Sequence, residues 1–231
     1  MTFPVVFSLG GWSLPAHALF TFLGYVVAAT LILRARRKDG DVLDARERWI
    51  VVLAAVVGGF IGARALGWPE GKTVVGGLLG GTVAVEAAKR RMGIAQSTGE
   101  MLAIPLAIGI AIGRIGCFLA GLPDHTYGNA TAMFTGVDFG DGVRRHPTQL
   151  YEAIVLLLLA AGLRREASRG RRFALFLVGY CAFRFGLEFL KPRQVIAGMS
   201  VIQWGSAAGV IWFAGRLSRS SSQSATPLPA D

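Results

Sequence analysis

Long apolar runs separated by short polar segments occupy most of the chain. Seven of these runs have a length at or near that of a membrane span. They cover residues 14–33, 49–67, 73–88, 101–120, 149–163, 173–190 and 197–215. A helix needs about 20 apolar residues to cross the hydrocarbon core, and shorter runs cross where flanking residues snorkel or the bilayer thins. The pattern therefore predicts an all-α fold, a polytopic membrane bundle of about seven transmembrane helices.

The polar segments divide the chain into a helical region, one long loop and a tail. Residues 1–217 are predicted to form a single transmembrane bundle. The longest polar stretch within it, residues 121–148, is expected to be an external loop, and long loops in compact domains often carry function. The Ser-, Pro- and Ala-rich segment 218–231 is predicted to be a disordered cytoplasmic tail.

Composition and charge agree with a membrane location. Hydrophobic residues make up 53% of the chain and mean hydropathy is +0.51, whereas charged residues are only 16%. The net charge is +10, and an external N-terminus puts sixteen of the 24 lysines and arginines on the cytoplasmic side. The positive-inside rule therefore predicts an external N-terminus and a cytoplasmic C-terminus. Because the basic residues follow this topology instead of forming one surface, nucleic-acid binding is not expected.

Two arginines within or beside apolar runs are the first candidate functional residues. Arg114 follows the run 102–112, and Arg184 lies inside the run 173–190. A guanidinium in hydrocarbon is costly, so such residues usually face a cavity or a partner, and their planar fork binds phosphate through two hydrogen bonds. We therefore expect Arg114 and Arg184 to bind an anionic lipid head group. Glu188, four residues after Arg184, is expected to form an ion pair with it on one helix face.

His146 and Glu152 are the candidate general bases, because burial and neighbouring charges can shift the pKa of a histidine or carboxylate side chain toward neutrality. His146 also admits a structural interpretation, as a loop histidine that hydrogen-bonds backbone before Pro147. His17, near the start of the first predicted helix, is a reserve candidate. The three histidines, His17, His125 and His146, lack metal-ligand spacing, so no metal site is predicted.

Glycines and cysteines in the predicted spans are expected mainly to pack. Gly76 and Gly77 suit close helix approach, and an alternative role is to present backbone amides to a ligand. Cys117 and Cys181 both lie in predicted spans, where a cysteine is more often a small packing residue than a reactive thiol. No disulfide framework is expected from them.

Three sequence blocks resemble the prolipoprotein diacylglyceryl transferase family. Residues 113–118 (GRIGCF) resemble its signature, residues 145–152 (RHPTQLYE) its second block, and residues 179–189 (GYCAFRFGLEF) its third. Their order and the predicted topology also agree with the family, so the resemblance covers most of the chain. It implies a transferase that moves the diacylglyceryl group of phosphatidylglycerol to the lipobox cysteine thiol of prolipoproteins and releases glycerol phosphate.

The resemblance also implies the setting and the site residues. The protein would be a multi-pass protein of the bacterial inner membrane, with phosphatidylglycerol, the lipobox of a prolipoprotein signal peptide and membrane lipids as partners and no cofactor or metal. Arg114 and Arg184 match the arginines that hold the lipid phosphate, and Glu188 matches the acid one turn beyond. The helix-five block of the family matches Gln149, Tyr151 and Glu152. Head-group contacts are also expected from Gly76, Gly77 and His17.

Several positions depart from the family pattern. Val75 stands where the family has a histidine often proposed as the base, and His17 replaces a tyrosine. The family's asparagines and its acid within the signature correspond to Cys117, Ala120 and Leu122. These departures keep two alternatives open: a related transferase with a different acceptor, and a non-catalytic phospholipid-binding or transport protein. For a transferase, His146 is the preferred base, with Glu152 and His17 in reserve.

Overall fold

The computed structural model describes residues 2–68, 71–166, 170–192 and 194–223, and seven α-helices dominate them. The helices are α1 (Ala16–Asp39), α2 (Ala45–Gly67), α3 (Val74–Arg91), α4 (Ala103–Ala120), α5 (Thr148–Leu163), α6 (Arg172–Leu187) and α7 (Val201–Gln223). The all-α prediction with about seven helices is confirmed. Within the described residues, α1, α2, α4 and the segment Arg172–Leu190 are long and apolar enough to cross a membrane, and α5 is a shorter apolar helix.

Two short β-hairpins accompany the helices. Strand β1 (Val6–Leu9) pairs antiparallel with β2 (Trp12–Pro15), so that Val6 faces Pro15. The Val5 amide donates to the Leu119 carbonyl at 2.9 Å, which fastens the first hairpin to the end of α4. Strands β3 (Val137–Asp138) and β4 (Arg144–Arg145) lie in the loop between α4 and α5.

The chain forms two compact units. The first contains residues 2–38, 101–165 and 186–192, and therefore α1, α4, α5 and both hairpins. The second contains α2, α3, α7 and α6 as far as Phe185. The single bundle over residues 1–217 and the orientation of the termini remain predictions.

Small residues set the packing of α1 against α4 in the first unit. A side-chain carbon added at Gly109 would lie 2.9 Å from the Gly24 carbonyl oxygen and 2.9 Å from the Ala28 Cβ. One added at Gly116 would lie 2.8 Å from the Phe20 Cβ and 3.2 Å from the His17 carbonyl. Close backbone approach of this kind is typical of membrane helices. It brings the last turns of α4 beside the start of α1.

In the second unit α2 and α3 pack through glycines. An added Cβ at Gly62 would overlap the Gly76 carbonyl oxygen, and one at Gly76 would overlap the Gly62 carbonyl oxygen. The Gly76 amide donates to Thr73 Oγ1 at 2.9 Å, and the Gly77 amide donates to the Thr73 carbonyl at 3.0 Å. Both amides are thus used in the first turn of α3, and Gly76 has the predicted packing role.

The C-terminal helix extends past the predicted end of the bundle. α7 continues to Gln223, so the backbone of residues 218–223 is helical. Extending an existing helix is easier than nucleating one, and the Ser218 hydroxyl donates to the Gly215 carbonyl at 3.0 Å. The rest of the predicted tail, residues 224–231, lies outside the described residues.

Candidate functional site

The candidate site of the first unit lies where α4 ends and α5 begins. Arg114 is in the penultimate turn of α4, and Glu152 is in the second turn of α5. Their Nε and Oε1 atoms are 3.0 Å apart, with the side chains 12% and 1% exposed respectively. Buried charges are tolerated when they are paired. The carboxylate of Glu152 on the neighbouring helix therefore offsets the unfavourable free energy of placing the Arg114 guanidinium in an apolar run.

Gln149 lies three residues before Glu152 and so on the same face of α5. Its side chain is buried, and neither its Nε2 nor its Oε1 finds a hydrogen-bond partner in the described part of the chain. Leaving a buried polar group unpaired costs about 1–3 kcal/mol. A substrate hydroxyl or phosphate oxygen that reached this amide would remove the cost.

A second cluster of polar side chains lies at the start of α5. The Nδ1 of His146 is 3.3 Å from the Tyr151 hydroxyl, which is itself 2.8 Å from Thr135 Oγ1. The backbone of His146 is fixed on both sides, because its amide donates to the Asn129 carbonyl at 3.1 Å and its carbonyl accepts from the Gly128 amide at 2.9 Å. The structure therefore brings together two of the predicted residues, His146 and Tyr151, and holds the imidazole in a defined position.

The loop before α5 is ordered by an ion pair. Both terminal guanidinium nitrogens of Arg145, Nη1 and Nη2, donate to the Asp141 carboxylate, at 2.7 and 2.8 Å. The guanidinium also lies over the ring of Tyr127, 5.2 Å from its centroid. These hydrogen bonds from Arg145 hold the pKa of Asp141 below its usual range and raise the pKa of Arg145. Arg145 is thus occupied in the loop and supports the turn that precedes His146.

A third cluster was not predicted from the sequence. His17, Cys117 and Asp124 each place one potential ligand atom within 4.8 Å of the other two. Histidine spacing alone could not reveal it, because its members come from the start of α1, the end of α4 and the turn after α4. No motif in the sequence gives Asp124 a role. The available signal was that His17 and Cys117 both depart from the family pattern.

The remaining predicted residues are divided between the two units. Arg184 is buried in α6 within the second unit, and Glu188 is buried in the 3-10 turn Glu188–Leu190 within the first. Gly76 and Gly77 belong to the second unit, and neighbouring Val75 is fully buried there. The predicted ion pair of Arg184 with Glu188, and the meeting of Arg184 with Arg114, remain predictions.

Comparison with known proteins gives one consistent family. The profile of the family described as prolipoprotein diacylglyceryl transferase matches residues 66–217. A phosphatidylglycerol–prolipoprotein diacylglyceryl transferase of Geobacter sulfurreducens is 31% identical, over 85% of this chain and 85% of its own. Proteins of the same name from Methylococcus capsulatus (31% identical, over 87% of this chain and 86% of its own) and Rhodococcus jostii (32% identical, over 90% and 72%) are similar to it as well. The matched region contains all three sequence blocks.

Proposed function

The chain belongs to the prolipoprotein diacylglyceryl transferase family, and we propose that it transfers the diacylglyceryl group of phosphatidylglycerol to the lipobox cysteine thiol of prolipoproteins. Glycerol phosphate is the second product. The proposed setting is the bacterial inner membrane, which the chain crosses several times with its N-terminus outside. The site opens laterally to the outer leaflet, where the lipid donor and the signal peptide of the acceptor are both available.

The observation that carries the proposal is the buried Arg114–Glu152 ion pair, together with the buried Gln149 amide, which has no hydrogen-bond partner among the described residues. A guanidinium that a carboxylate orients in advance can stabilise the charge that develops on a departing phosphate. Arg114 is assigned to that phosphate, with Glu152 fixing its direction. The Gln149 amide is suited to the hydroxyls of the glycerol head group. Arg184 is proposed as the second phosphate ligand, oriented by Glu188.

The transfer reaction requires a base. The acceptor sulfur attacks the glyceryl carbon that carries the phosphate ester, and the C–O bond breaks with its electron pair on the phosphate oxygen. The thiol proton has to leave, because the thiolate is the nucleophile. We propose His146 as the group that receives it, with the Tyr151 hydroxyl holding the ring. Glu152 is less suited to this task than the sequence suggested, because its Oε1 is 3.0 Å from Arg114.

The test uses purified full-length protein, vesicles containing phosphatidylglycerol and a peptide that carries a lipobox cysteine. Mass analysis should find the peptide heavier by one diacylglyceryl group, with an equal amount of glycerol phosphate released. Arg114→Ala and Arg184→Ala should each lower transfer at least a hundredfold while the protein still inserts in the membrane. Near-normal turnover by either variant would contradict the assignment of the phosphate ligands.

Val75 favours a second candidate, a transferase that uses the same lipid donor and another acceptor. It is fully buried at the position where the family has a histidine. Rescue of a bacterium depleted of its own prolipoprotein transferase separates the two, because a true prolipoprotein transferase should restore growth. Glycerol phosphate release without modification of the lipobox peptide would support the second candidate. If no glycerol phosphate is released, the result would instead support a phospholipid-binding or transport protein.

A further inference from the structure

Three side chains of different types meet at the end of α4. His17 Nε2 lies 3.8 Å from Asp124 Oδ1 and 3.9 Å from Cys117 Sγ. Imidazole, thiolate and carboxylate are the three ligand types that proteins use for Zn²⁺. Tetrahedral Zn²⁺ with bonds of about 2.0 Å to nitrogen and about 2.3 Å to sulfur sets these two ligand atoms about 3.6 Å apart. The 3.9 Å between His17 Nε2 and Cys117 Sγ is therefore only a few tenths of an ångström longer than Zn²⁺ binding requires.

Local structure holds each member in place. Gly116 lets α4 approach the start of α1, which brings the neighbouring Cys117 to His17. Gly121 has a positive φ of +69, which favours glycine, and turns the chain out of α4 into the 3-10 turn Leu122–Asp124. The Thr126 hydroxyl donates to Asp124 Oδ2, while Oδ1 is the oxygen nearer His17. An outer hydrogen bond that orients a ligand in this way is typical of metal sites.

We propose that His17, Cys117 and Asp124 bind Zn²⁺ and leave its fourth position for the thiolate of the acceptor cysteine. This inference rests on the proposed function. Catalytic zinc sites have three protein ligands and an open position, and the side chain of His17 is 48% exposed, which leaves a path from outside. A thiol that coordinates Zn²⁺ loses its proton. The site would thus supply the thiolate that the reaction needs, in a chain where Val75 replaces the family histidine.

The site is next to the proposed phosphate ligand. Arg114 Nη1 lies 3.8 Å from Cys117 Sγ, so the metal and the guanidinium would act on neighbouring atoms of the reaction. The charges are compatible, because the thiolate of Cys117 and the carboxylate of Asp124 neutralise Zn²⁺. The acceptor thiol gives its proton to His146 or to water as its sulfur binds. The sulfur then uses an electron pair to form the S–C bond, the C–O bond breaks onto the phosphate oxygen, and the metal keeps its oxidation state.

Co²⁺ is the probe for metal binding, because it occupies zinc sites and Co²⁺–thiolate bonds absorb in the near ultraviolet. Chelator-stripped full-length protein in detergent should bind one Co²⁺ with this absorption, and Zn²⁺ should displace it. Cys117→Ser should abolish the band and His17→Ala should weaken binding at least tenfold. Cys181→Ser is the matched control, since it removes the other cysteine, in the second unit. A wild type without the band, or a Cys117→Ser protein that retains it, would overturn the metal site.

A second measurement separates the metal site from the proposed function. Adding the lipobox peptide to the cobalt-loaded protein should increase the thiolate band, whereas a peptide with serine in place of its cysteine should not. An unchanged band with the cysteine peptide would overturn the thiolate role. Transfer should fall at least tenfold after chelation and return with Zn²⁺. Full transfer by the stripped protein would overturn the inference and leave the proposed function standing. Cobalt binding with no transfer under any condition would overturn the proposed function, and with it the thiolate role, and leave only the metal site.

Discussion

Arg114 on α4 and Glu152 on α5 form a buried ion pair, with 3.0 Å between Nε and Oε1. They stand 38 positions apart in the sequence, and the pair joins two neighbouring helices of the first unit. Removing one partner of a buried pair leaves an uncompensated charge, whereas replacing both by apolar residues is often neutral. Comparing single with double substitutions of Arg114 and Glu152 therefore distinguishes the effect of the pair on stability from its effect on transfer.

Glu152→Gln should lower the free energy of unfolding by about 3 kcal/mol, because Arg114 would remain buried without its carboxylate. The double variant Arg114→Met with Glu152→Met should recover most of that loss and still show no transfer. Thermal unfolding in detergent and the phosphatidylglycerol assay measure the two effects. A double variant that is as unstable as the two single variants added together would show that the residues do not act as a pair.

Gln149→Leu should stabilise the protein and impair its function. The substitution removes an amide that is buried without a partner in the described part of the chain, so unfolding should become harder by about 1 kcal/mol. Binding of phosphatidylglycerol should weaken at least tenfold if the amide contacts the head group. Gln149→Glu is the polar comparison, and its added negative charge should also weaken lipid binding. A destabilised Gln149→Leu protein with normal lipid affinity would show that the amide has a structural partner.

Local patterns predicted the helices, and contacts between distant segments account for what they missed. Each apolar run forms a helix, because length and hydropathy are properties of one continuous segment and can be read from that segment alone. The pair Gly10–Gly11 between two strands is a local hairpin signal in the sequence, and both residues have positive φ, at 54° and 87°. The cluster of His17 with Cys117 is different, since it depends on how closely α1 and α4 pack at Gly116. No spacing in the sequence encodes that approach.

The loop before α5 should lose order in acid. The pKa of Asp141 is held below its usual range by Arg145, so the ion pair contributes fully above the ordinary aspartate pKa of about 3.9. That contribution is lost as pH falls through the lower, folded-state pKa. Hydrogen exchange of the loop should therefore be slower in the wild type than in Asp141→Asn at pH 7, and the two should converge in strong acid. A difference that persists there would assign the loop order to other contacts.

Gly116→Ala tests whether helix approach builds the His17–Cys117–Asp124 cluster. The new Cβ would lie 2.8 Å from the Phe20 Cβ and 3.2 Å from the His17 carbonyl, so α1 has to move away from α4. Cobalt affinity should fall at least tenfold, with unfolding easier by about 1–3 kcal/mol as in other overpacked interiors. Gly113→Ala, one turn earlier on the same helix, is the control, because its Cβ would meet nothing within 4 Å. Its cobalt affinity should equal that of the wild type, and its stability should rise slightly because alanine favours the helix. Equal cobalt affinity in both variants would mean that the cluster does not depend on the contact of α1 with Gly116.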